Sequence, residues 1–241
     1  MEILRQLIRY VPPVHVLEVT IGIHSTLIKT GKNCGIASTL SQQWPHEDIH
    51  NAGQLEQFSL RELAEFSLSG NQLEASVGIA AINCAFSARI NRYHTINAKT
   101  ILLERGKGKI VGIIGHFPFL EMQRDQFKEC YIFEKRPRTG DLLESDIPEY
   151  LPKVDVAAIT GTSLTNHTFE RIMNHLPKKS YKMILGPSTP LAPPLFKVGI
   201  HTLSGTLVED YEQVKKHVLQ GAPTRQLQGV KYVTLFKEDF A

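Results

Sequence analysis

The chain has 241 residues, of which 42% are hydrophobic and 21% are charged, so it is globular and can bury a substantial core. Its 27 Lys and Arg side chains exceed its 24 Asp and Glu side chains by only +3, and the sequence pI is about 8.7. This balance is typical of a mildly basic soluble protein. Because no dense block of Lys and Arg occurs, the sequence argues against a nucleic-acid partner.

The sequence carries no signal for a membrane. No apolar run approaches the roughly 18 residues that suggest a membrane span, and the N-terminal run MEILRQLIRYVPP reads as a short helix rather than a signal peptide. Three widely spaced cysteines, Cys34, Cys84 and Cys130, argue against a disulfide framework. They predict a reducing, cytoplasmic location, with each thiol packed as a small apolar side chain.

The first half of the chain places strands before helices. Three runs rich in β-branched residues predict an antiparallel meander, at residues 17–23, 25–30 and 35–40. Ser59 and Glu62 have the spacing of a capping box and begin a predicted helix, and a longer helix is predicted over residues 72–90. Strands followed by helices predict an α+β domain over residues 1–95.

The second half alternates between short apolar runs and helical stretches. The apolar runs are residues 109–115, 130–134, 154–160, 181–186 and 200–205, and the helical stretches are 119–128, 142–150, 166–176 and 210–220. This alternation predicts an α/β domain over residues 96–241, with a parallel sheet covered by helices on both faces.

Ligands of such sheets bind beyond the carboxyl ends of the strands, so the residues after each run are candidates. The run Gly115-His-Phe-Pro lacks the glycines of a dinucleotide loop, which argues against an ordinary NAD site. Glu134 either binds a ribose hydroxyl or is a solvated acidic residue at the end of a strand. The run from Thr160 to Asn166 either caps a helix or offers N–H groups to an anion.

The run Gly186-Pro-Ser-Thr-Pro190 follows an apolar strand and contains two prolines that fix φ. Ser188 and Thr189 are therefore held in place. Such a turn is either a rigid wall for a ligand or an ordinary exit from the sheet.

Metal-binding motifs are weak in this sequence. No HxH or CxxC spacing occurs. His46-Glu-Asp-Ile-His50 has the HExxH spacing, but it directly follows Pro45 in a polar stretch, residues 41–54, that carries no helical pattern. That stretch is either a functional loop or a flap over the site. Carboxylates and thiolates are not clustered, so we expect metal to bind, if it binds, through a small ligand.

Taken in series, the motifs LEVTIGIHSTLI, ASVGIAAIN, KIVGIIGHFPFLE, VDVAAITGTSLTN and ILGPSTPL resemble one family. It is the family described as putative heavy-metal chelation, and the resemblance covers nearly the entire chain. It implies an enolase N-terminal-like domain followed by a Rossmann-like domain, a ligand site in the cleft between them, and a homodimer. The resemblance names no cofactor, metal ion or catalytic residue.

The same resemblance assigns ligand-binding positions by motif. They are Asn83, Gly115, Phe117, Pro118, Glu134, Thr160, Gly161, Thr162, Asn166, Gly186, Pro187, Ser188, Thr189 and Pro190. Asn83 has a second interpretation, as a core amide that hydrogen-bonds a neighbouring loop.

Three functions remain open at this stage. The chain binds or modifies a small polar, nucleotide- or pterin-like molecule that chelates metal. Alternatively, it is a transferase that uses a nucleoside cofactor such as S-adenosylmethionine, with Glu134 on the ribose. The third alternative is a carrier or sensor without catalysis, because no nucleophile and base pair can be recognised in the sequence.

Overall fold

The chain forms two β-sheets with helices around them, in a computed structural model that describes residues 1–31, 33–41, 48–115, 117, 124–135 and 137–240. The first sheet has three antiparallel strands, and the second has six strands in the order β5-β4-β6-β7-β8-β9. The predicted α/β fold, with a small α+β domain followed by a larger and mostly parallel sheet, is confirmed.

The small domain contains the predicted meander and both predicted helices. Its elements are α1 (Glu2–Ile8), β1 (Val16–Ile21), β2 (Ser25–Thr30), β3 (Cys34–Ser38), α2 (Leu60–Glu65) and α3 (Gln72–Ser87). The Ser59 hydroxyl accepts a hydrogen bond from the Glu62 N–H at 3.3 Å, and the Glu62 carboxylate accepts one from the Ser59 N–H at 2.8 Å. This reciprocal pair is the predicted capping box, and it fixes the start of α2.

The large domain confirms all five predicted strands. Its elements are α4 (Ala98–Gly106), β4 (Ile110–Ile114), β5 (Glu129–Phe133), α5 (Ile147–Tyr150), β6 (Val156–Thr160), α6 (Thr162–Thr165), α7 (Phe169–His175), β7 (Tyr181–Leu185), α8 (Pro194–Lys197), β8 (Thr202–Val208), α9 (Tyr211–Leu219) and β9 (Val230–Phe236). Strands β5, β4, β6, β7 and β8 are parallel, and β9 is antiparallel to β8.

Sequence reasoning missed four elements of this domain, the helices α4, α6 and α8 and the strand β9. The signal for α4 is its cap, because the Asn97 side chain accepts a hydrogen bond from the Lys99 N–H at 2.9 Å. Strand β9 lies at the edge of the six-stranded sheet, and it buries Val233, Thr234 and Leu235 while its other residues are at least partly exposed. The predicted helix over residues 119–128 lies partly outside the described residues, and Arg124–Gln126 within it form a single 3-10 turn.

The strand order creates a switch point. Strand β4 lies between β5 and β6, so the chain leaves β4 in one direction for β5 and then returns across it to β6. The connections therefore diverge at the carboxyl ends of β4 and β6 and leave a crevice there, which is where open parallel sheets bind ligands.

The two domains are joined by the junction segment, which we define as residues 186–190. The Ser188 hydroxyl accepts a hydrogen bond from the Ser38 N–H of β3 at 2.8 Å. The Asn83 amide nitrogen of α3 donates to Ile36 O at 2.7 Å and to Pro187 O at 3.3 Å. These contacts tie the junction segment to the small sheet and to its longest helix.

The junction segment is also wedged between two glycines of the large sheet. A Cβ atom added at Gly161 would lie 2.6 Å from Thr189 N, and one added at Gly205 would lie 2.9 Å from Thr189 O. Ser188 and Thr189 are only 0% and 2% exposed. Both glycines are therefore required for the close approach of backbone to backbone.

One hydrophobic core extends across the junction. It contains Val77 and Ile82 of α3 together with Ile159, Leu164 and Leu203 of the large domain. Among the described residues, no helix is both long and apolar enough to cross a membrane.

Gly161→Ala is expected to lower the free energy of unfolding by about 1–3 kcal/mol, because the new methyl group overpacks against the backbone of the junction segment. Gly161 already has helical φ and ψ angles of −58° and −25°, so alanine would not strain its backbone. The matched control is Gly31→Ala, since a Cβ atom there has no neighbour within 4 Å. Urea unfolding curves measure both, and equal midpoints for the two variants would contradict the wedged junction.

Candidate functional site

The predicted ligand residues lie in three different places, apart from Pro118, which is outside the described residues. One group lines a cavity at the switch point. A second group forms the junction between the domains. A third group, Phe117, Gly186 and Pro187, lines another cavity at the end of β7; Pro187 also contributes its carbonyl to the junction.

The first group lines the switch-point cavity, a space of about 230 Å³ at the carboxyl ends of β4, β5 and β6. The predicted residues in its wall are Gly115, Glu134, Thr160, Thr162 and Asn166. Sequence reasoning missed the polar residues Lys135, Glu144 and Thr168, and the apolar residues Ile114, Phe133, Ile147 and Ile172.

Hydrogen bonds fix the polar groups on one side of the switch-point cavity. The hydroxyl oxygens of Thr160 and Thr162 lie 2.9 Å apart, and the Ser163 hydroxyl donates to Thr160 O at 2.7 Å. The Asn166 Oδ1 atom accepts from the Thr168 hydroxyl at 2.7 Å and from the Thr168 N–H at 3.2 Å. Because its oxygen is engaged, Asn166 presents its amide nitrogen as the donor that remains.

The two carboxylates of the switch-point cavity have different environments. Glu144 forms an ion pair with Arg171. Glu134 follows β5, and its Oε1 atom accepts a hydrogen bond from the Lys135 N–H at 2.7 Å. Within the part of the chain that the structure describes, Glu134 has no cationic side-chain partner. Glu134 is therefore the carboxylate with capacity to accept hydrogen bonds from a ligand.

The run from Thr160 to Asn166 offers less to an anion than its sequence indicates. Helix α6 has only four residues, so its dipole is that of a single turn. The chain breaks between α6 and α7 because His167 adopts a φ of 60°, and the His167 ring bonds Ser67 O at 2.8 Å. The groups that this wall offers to a ligand are therefore the threonine hydroxyls and the Asn166 amide, rather than the N–H groups of a helix terminus.

The second group of predicted residues is Asn83, Gly161, Ser188, Thr189 and Pro190. These residues make the domain contact described above, and Pro190 is buried together with Ser188 and Thr189. The two prolines thus hold a turn that packs against both domains. Asn83 acts here as the core amide that bonds a neighbouring loop.

Residues from both domains also line a groove of about 470 Å³. Its walls are mainly apolar, with Tyr10 and Phe86 from the small domain and Leu191, Phe196 and Leu235 from the large one. None of the predicted ligand residues lies in this groove.

The described side chains do not form a site for a bare metal ion. No group of three or more His, Cys, Asp or Glu side chains converges among them. His46 lies outside the described residues, and the His50 ring lies beside Phe58, with 6.3 Å between ring centroids. Burial raises the pKa of Cys84 to about 11 and that of Cys130 to about 11, and it raises the pKa of Cys34 further. The protonated thiols are poor ligands for a soft metal.

Thiol reactivity tests this conclusion. We expect native protein at pH 7.5 to react with Ellman's reagent far more slowly than free cysteine, because all three thiols are protonated and at least partly buried. In denaturant, all three should react. Since the pKa of Cys130 is about 11, its labelling rate should rise about tenfold per pH unit between pH 7.5 and pH 9.5. A thiol that reacts at pH 7.5 as fast as free cysteine would contradict this assignment.

Comparison with known proteins defines the family. Two family models, DUF4213 over residues 4–86 and DUF364 over residues 97–236, match the chain, and both are described as "putative heavy-metal chelation". The chain therefore belongs to this two-domain family. Its sequence is 28% identical over 193 residues to an uncharacterized protein of Methanocaldococcus jannaschii, covering 76% of this chain and 73% of that protein.

Two solved structures share the whole fold. A DUF364 protein of unknown function from Desulfitobacterium hafniense is 28% identical, with a TM-score of 0.87 and 98% of each chain covered. A DUF364 protein of unknown function from Pyrococcus horikoshii is 20% identical, with a TM-score of 0.81 over 97% of this chain and 98% of that one. At that identity, the second likeness supports the fold alone.

Proposed function

We propose that the chain binds a small polar metabolite in the switch-point cavity, and that a heavy metal reaches the protein as a complex of this metabolite. The observation that carries the proposal is the convergence of one carboxylate, two hydroxyls and one amide on a single cavity at the strand switch point. These groups come from Glu134, Thr160, Thr162 and Asn166.

The chemistry of the wall favours a ligand with hydroxyl or N–H groups. A carboxylate accepts hydrogen bonds only, so Glu134 pairs best with two donors, such as the vicinal hydroxyls of a sugar or the N–H groups of a pterin-like ring. The threonine hydroxyls both donate and accept, and the Asn166 amide nitrogen donates. The apolar residues Ile114, Phe133 and Ile172 provide a surface for a planar ring.

The family description and the donor set of this chain agree if the metabolite provides the metal's ligands. Soft metals prefer thiolates and hard metals prefer clustered carboxylates, and the described residues offer neither in one place. A chelating metabolite would bring its own oxygen, nitrogen or sulfur atoms. The role of the protein is then to bind the organic part of the complex.

A second candidate function is a transferase with a nucleoside cofactor, such as S-adenosylmethionine. It is favoured by one observation: Glu134 ends β5, the neighbour of β4, and Gly115 ends β4. In Rossmann-like proteins, a carboxylate at this position binds a ribose hydroxyl. A thermal-shift screen with nucleosides, S-adenosylmethionine and NAD separates this candidate from a pterin-like ligand, and turnover of the bound molecule separates both from a carrier.

Three features stay predictions. They are a domain boundary near residue 95, a cytoplasmic location and a homodimer. The family resemblance supports the homodimer, which would have twice the 27.1 kDa mass of one chain.

The test is native mass spectrometry of freshly purified protein, with elemental analysis of the same sample. We expect an organic molecule of fixed mass on the wild-type chain, and metal only in proportion to it. Glu134→Gln should lower the bound fraction by about tenfold or more, because a hydrogen bond to a charged group is worth about 1.5–3 kcal/mol. Glu104→Gln is the matched control, since Glu104 is exposed on α4 and lines neither cavity.

Two results would contradict the proposal. The first is stoichiometric metal on protein that carries no organic molecule. The second is an organic molecule that Glu134→Gln retains as well as Glu104→Gln does, because the ligand would then bind elsewhere.

A further inference from the structure

A second cavity lies at the carboxyl ends of β7 and β8, and we name it the strand-end cavity. Its volume is about 590 Å³, within the range of small-molecule sites. No described residue lines both this cavity and the switch-point cavity. The function proposed for the switch-point cavity therefore does not depend on the strand-end cavity. Binding in the strand-end cavity likewise does not depend on that proposed function.

Strands β8 and β9 form a hydroxyl-rich wall of the strand-end cavity. Ser204 pairs with Thr234 across the two strands, and Thr206 pairs with Tyr232, so the four side chains share one face of the sheet. The Ser204 and Thr234 hydroxyls lie 2.8 Å apart, and the Thr234 hydroxyl also donates to Ile96 O at 3.0 Å. The Tyr232 hydroxyl donates to Thr224 O at 3.3 Å. The hydroxyls of Ser204, Thr234 and Tyr232 therefore all have hydrogen-bond partners.

Thr206 is the exception in this wall. Its side chain is 8% exposed, and its hydroxyl oxygen is buried without a hydrogen-bond partner in the described part of the chain. A buried hydroxyl left unpaired costs about 1–3 kcal/mol, so folded proteins seldom retain one without a reason. Because Thr206 lines the cavity, it is the wall residue whose hydroxyl would gain a hydrogen bond from a ligand there.

Two positive features lie at the rim of the same cavity. Helix α4 has nine residues and begins at Ala98, so its positive dipole end lies at the cavity, where the Asn97 side chain already accepts a hydrogen bond from the Lys99 N–H. Arg225 lies in the 3-10 turn before β9, is exposed, and forms no ion pair with a described residue. A helix N-terminus and a free guanidinium together favour an anion.

The rest of the strand-end cavity is apolar. Ile96, Phe117, Leu185, Pro187 and Val233 contribute to its lining. An inorganic ion would leave this surface without contacts, whereas a ring or short chain would cover it.

We propose that the strand-end cavity binds a small organic anion, a molecule that joins an apolar ring to one phosphate or carboxylate group. The anionic group lies between Arg225 and the first turn of α4, and the Thr206 hydroxyl donates a hydrogen bond to it. The apolar part contacts Phe117 and Leu185.

The experiment titrates the full chain with phenyl phosphate and with benzoate by calorimetry, with phenol and inorganic phosphate as partial ligands. We expect saturable binding of at least one aryl anion with a dissociation constant at or below about 1 mM, and binding at least about tenfold weaker for phenol and for inorganic phosphate. Preference between the two aryl anions distinguishes a phosphate ligand from a carboxylate ligand.

Four variants locate the binding site. Arg225→Met should weaken binding about tenfold or more, while Arg9→Met, a change at another exposed arginine, should leave it unchanged. Thr206→Val should weaken binding several-fold without lowering the unfolding midpoint, because the methyl group replaces an unpaired hydroxyl. Glu134→Gln should have no effect, since Glu134 lies in the other cavity.

Three outcomes would overturn this inference. Neither aryl anion binds, or phenol binds as well as phenyl phosphate and benzoate do. Alternatively, Glu134→Gln abolishes binding while Arg225→Met does not, which would place the anion in the switch-point cavity. If Thr206→Val fails to fold, Thr206→Ser retains the hydroxyl and should bind as the wild type does, and loss of binding in a folded Thr206→Ser protein would also overturn the inference.

Discussion

The fold of this protein depends on the close packing of the junction segment, residues 186–190, between two glycines. Gly161, just after β6, and Gly205, in the middle of β8, allow the backbone around Thr189 to approach both strands, where any side chain would be too close. The buried Ser188 hydroxyl and the Pro187 carbonyl then bond the small domain. Because interiors are packed at crystal-like density, a segment wedged on two sides transmits its position to everything it contacts. The relative placement of the two sheets follows from this one turn.

The same constraint shapes both cavities. Gly161 lies between Thr160 and Thr162, so the contact that fixes the junction segment also fixes the two hydroxyls of the switch-point cavity. On the other side, Gly186 and Pro187 begin the junction segment and line the strand-end cavity. The rigid turn is therefore a shared wall between two spaces of different chemistry. One space offers a carboxylate to hydrogen-bond donors, and the other offers a guanidinium and helix N–H groups to an anion.

Sequence patterns predicted the architecture better than they predicted the site. The five parallel strands are short runs rich in apolar residues, and the Ser59 and Glu62 capping box is a local signal, so both can be read without tertiary information. Position after a strand also identified Glu134 and Thr160, because parallel strands share one carboxyl edge. Arg225 and Thr206 carry no such signal. They line the same cavity because β9 returns antiparallel to β8, and the sequence did not reveal that strand. The sequence also favoured Ser188 as a ligand contact, because the residues of a turn do not indicate which part of the chain packs against that turn.

The proposed function requires that the protein recognise the organic part of a metal complex, through Glu134 and its neighbours, rather than the metal itself. A crystal structure of the protein as purified, with anomalous diffraction measured above and below the metal absorption edge, would distinguish the two. We expect electron density for an organic molecule against Glu134, Thr160 and Asn166, with any anomalous peak bonded to that molecule. An anomalous peak bonded directly to protein side chains, with no organic density beside Glu134, would contradict it.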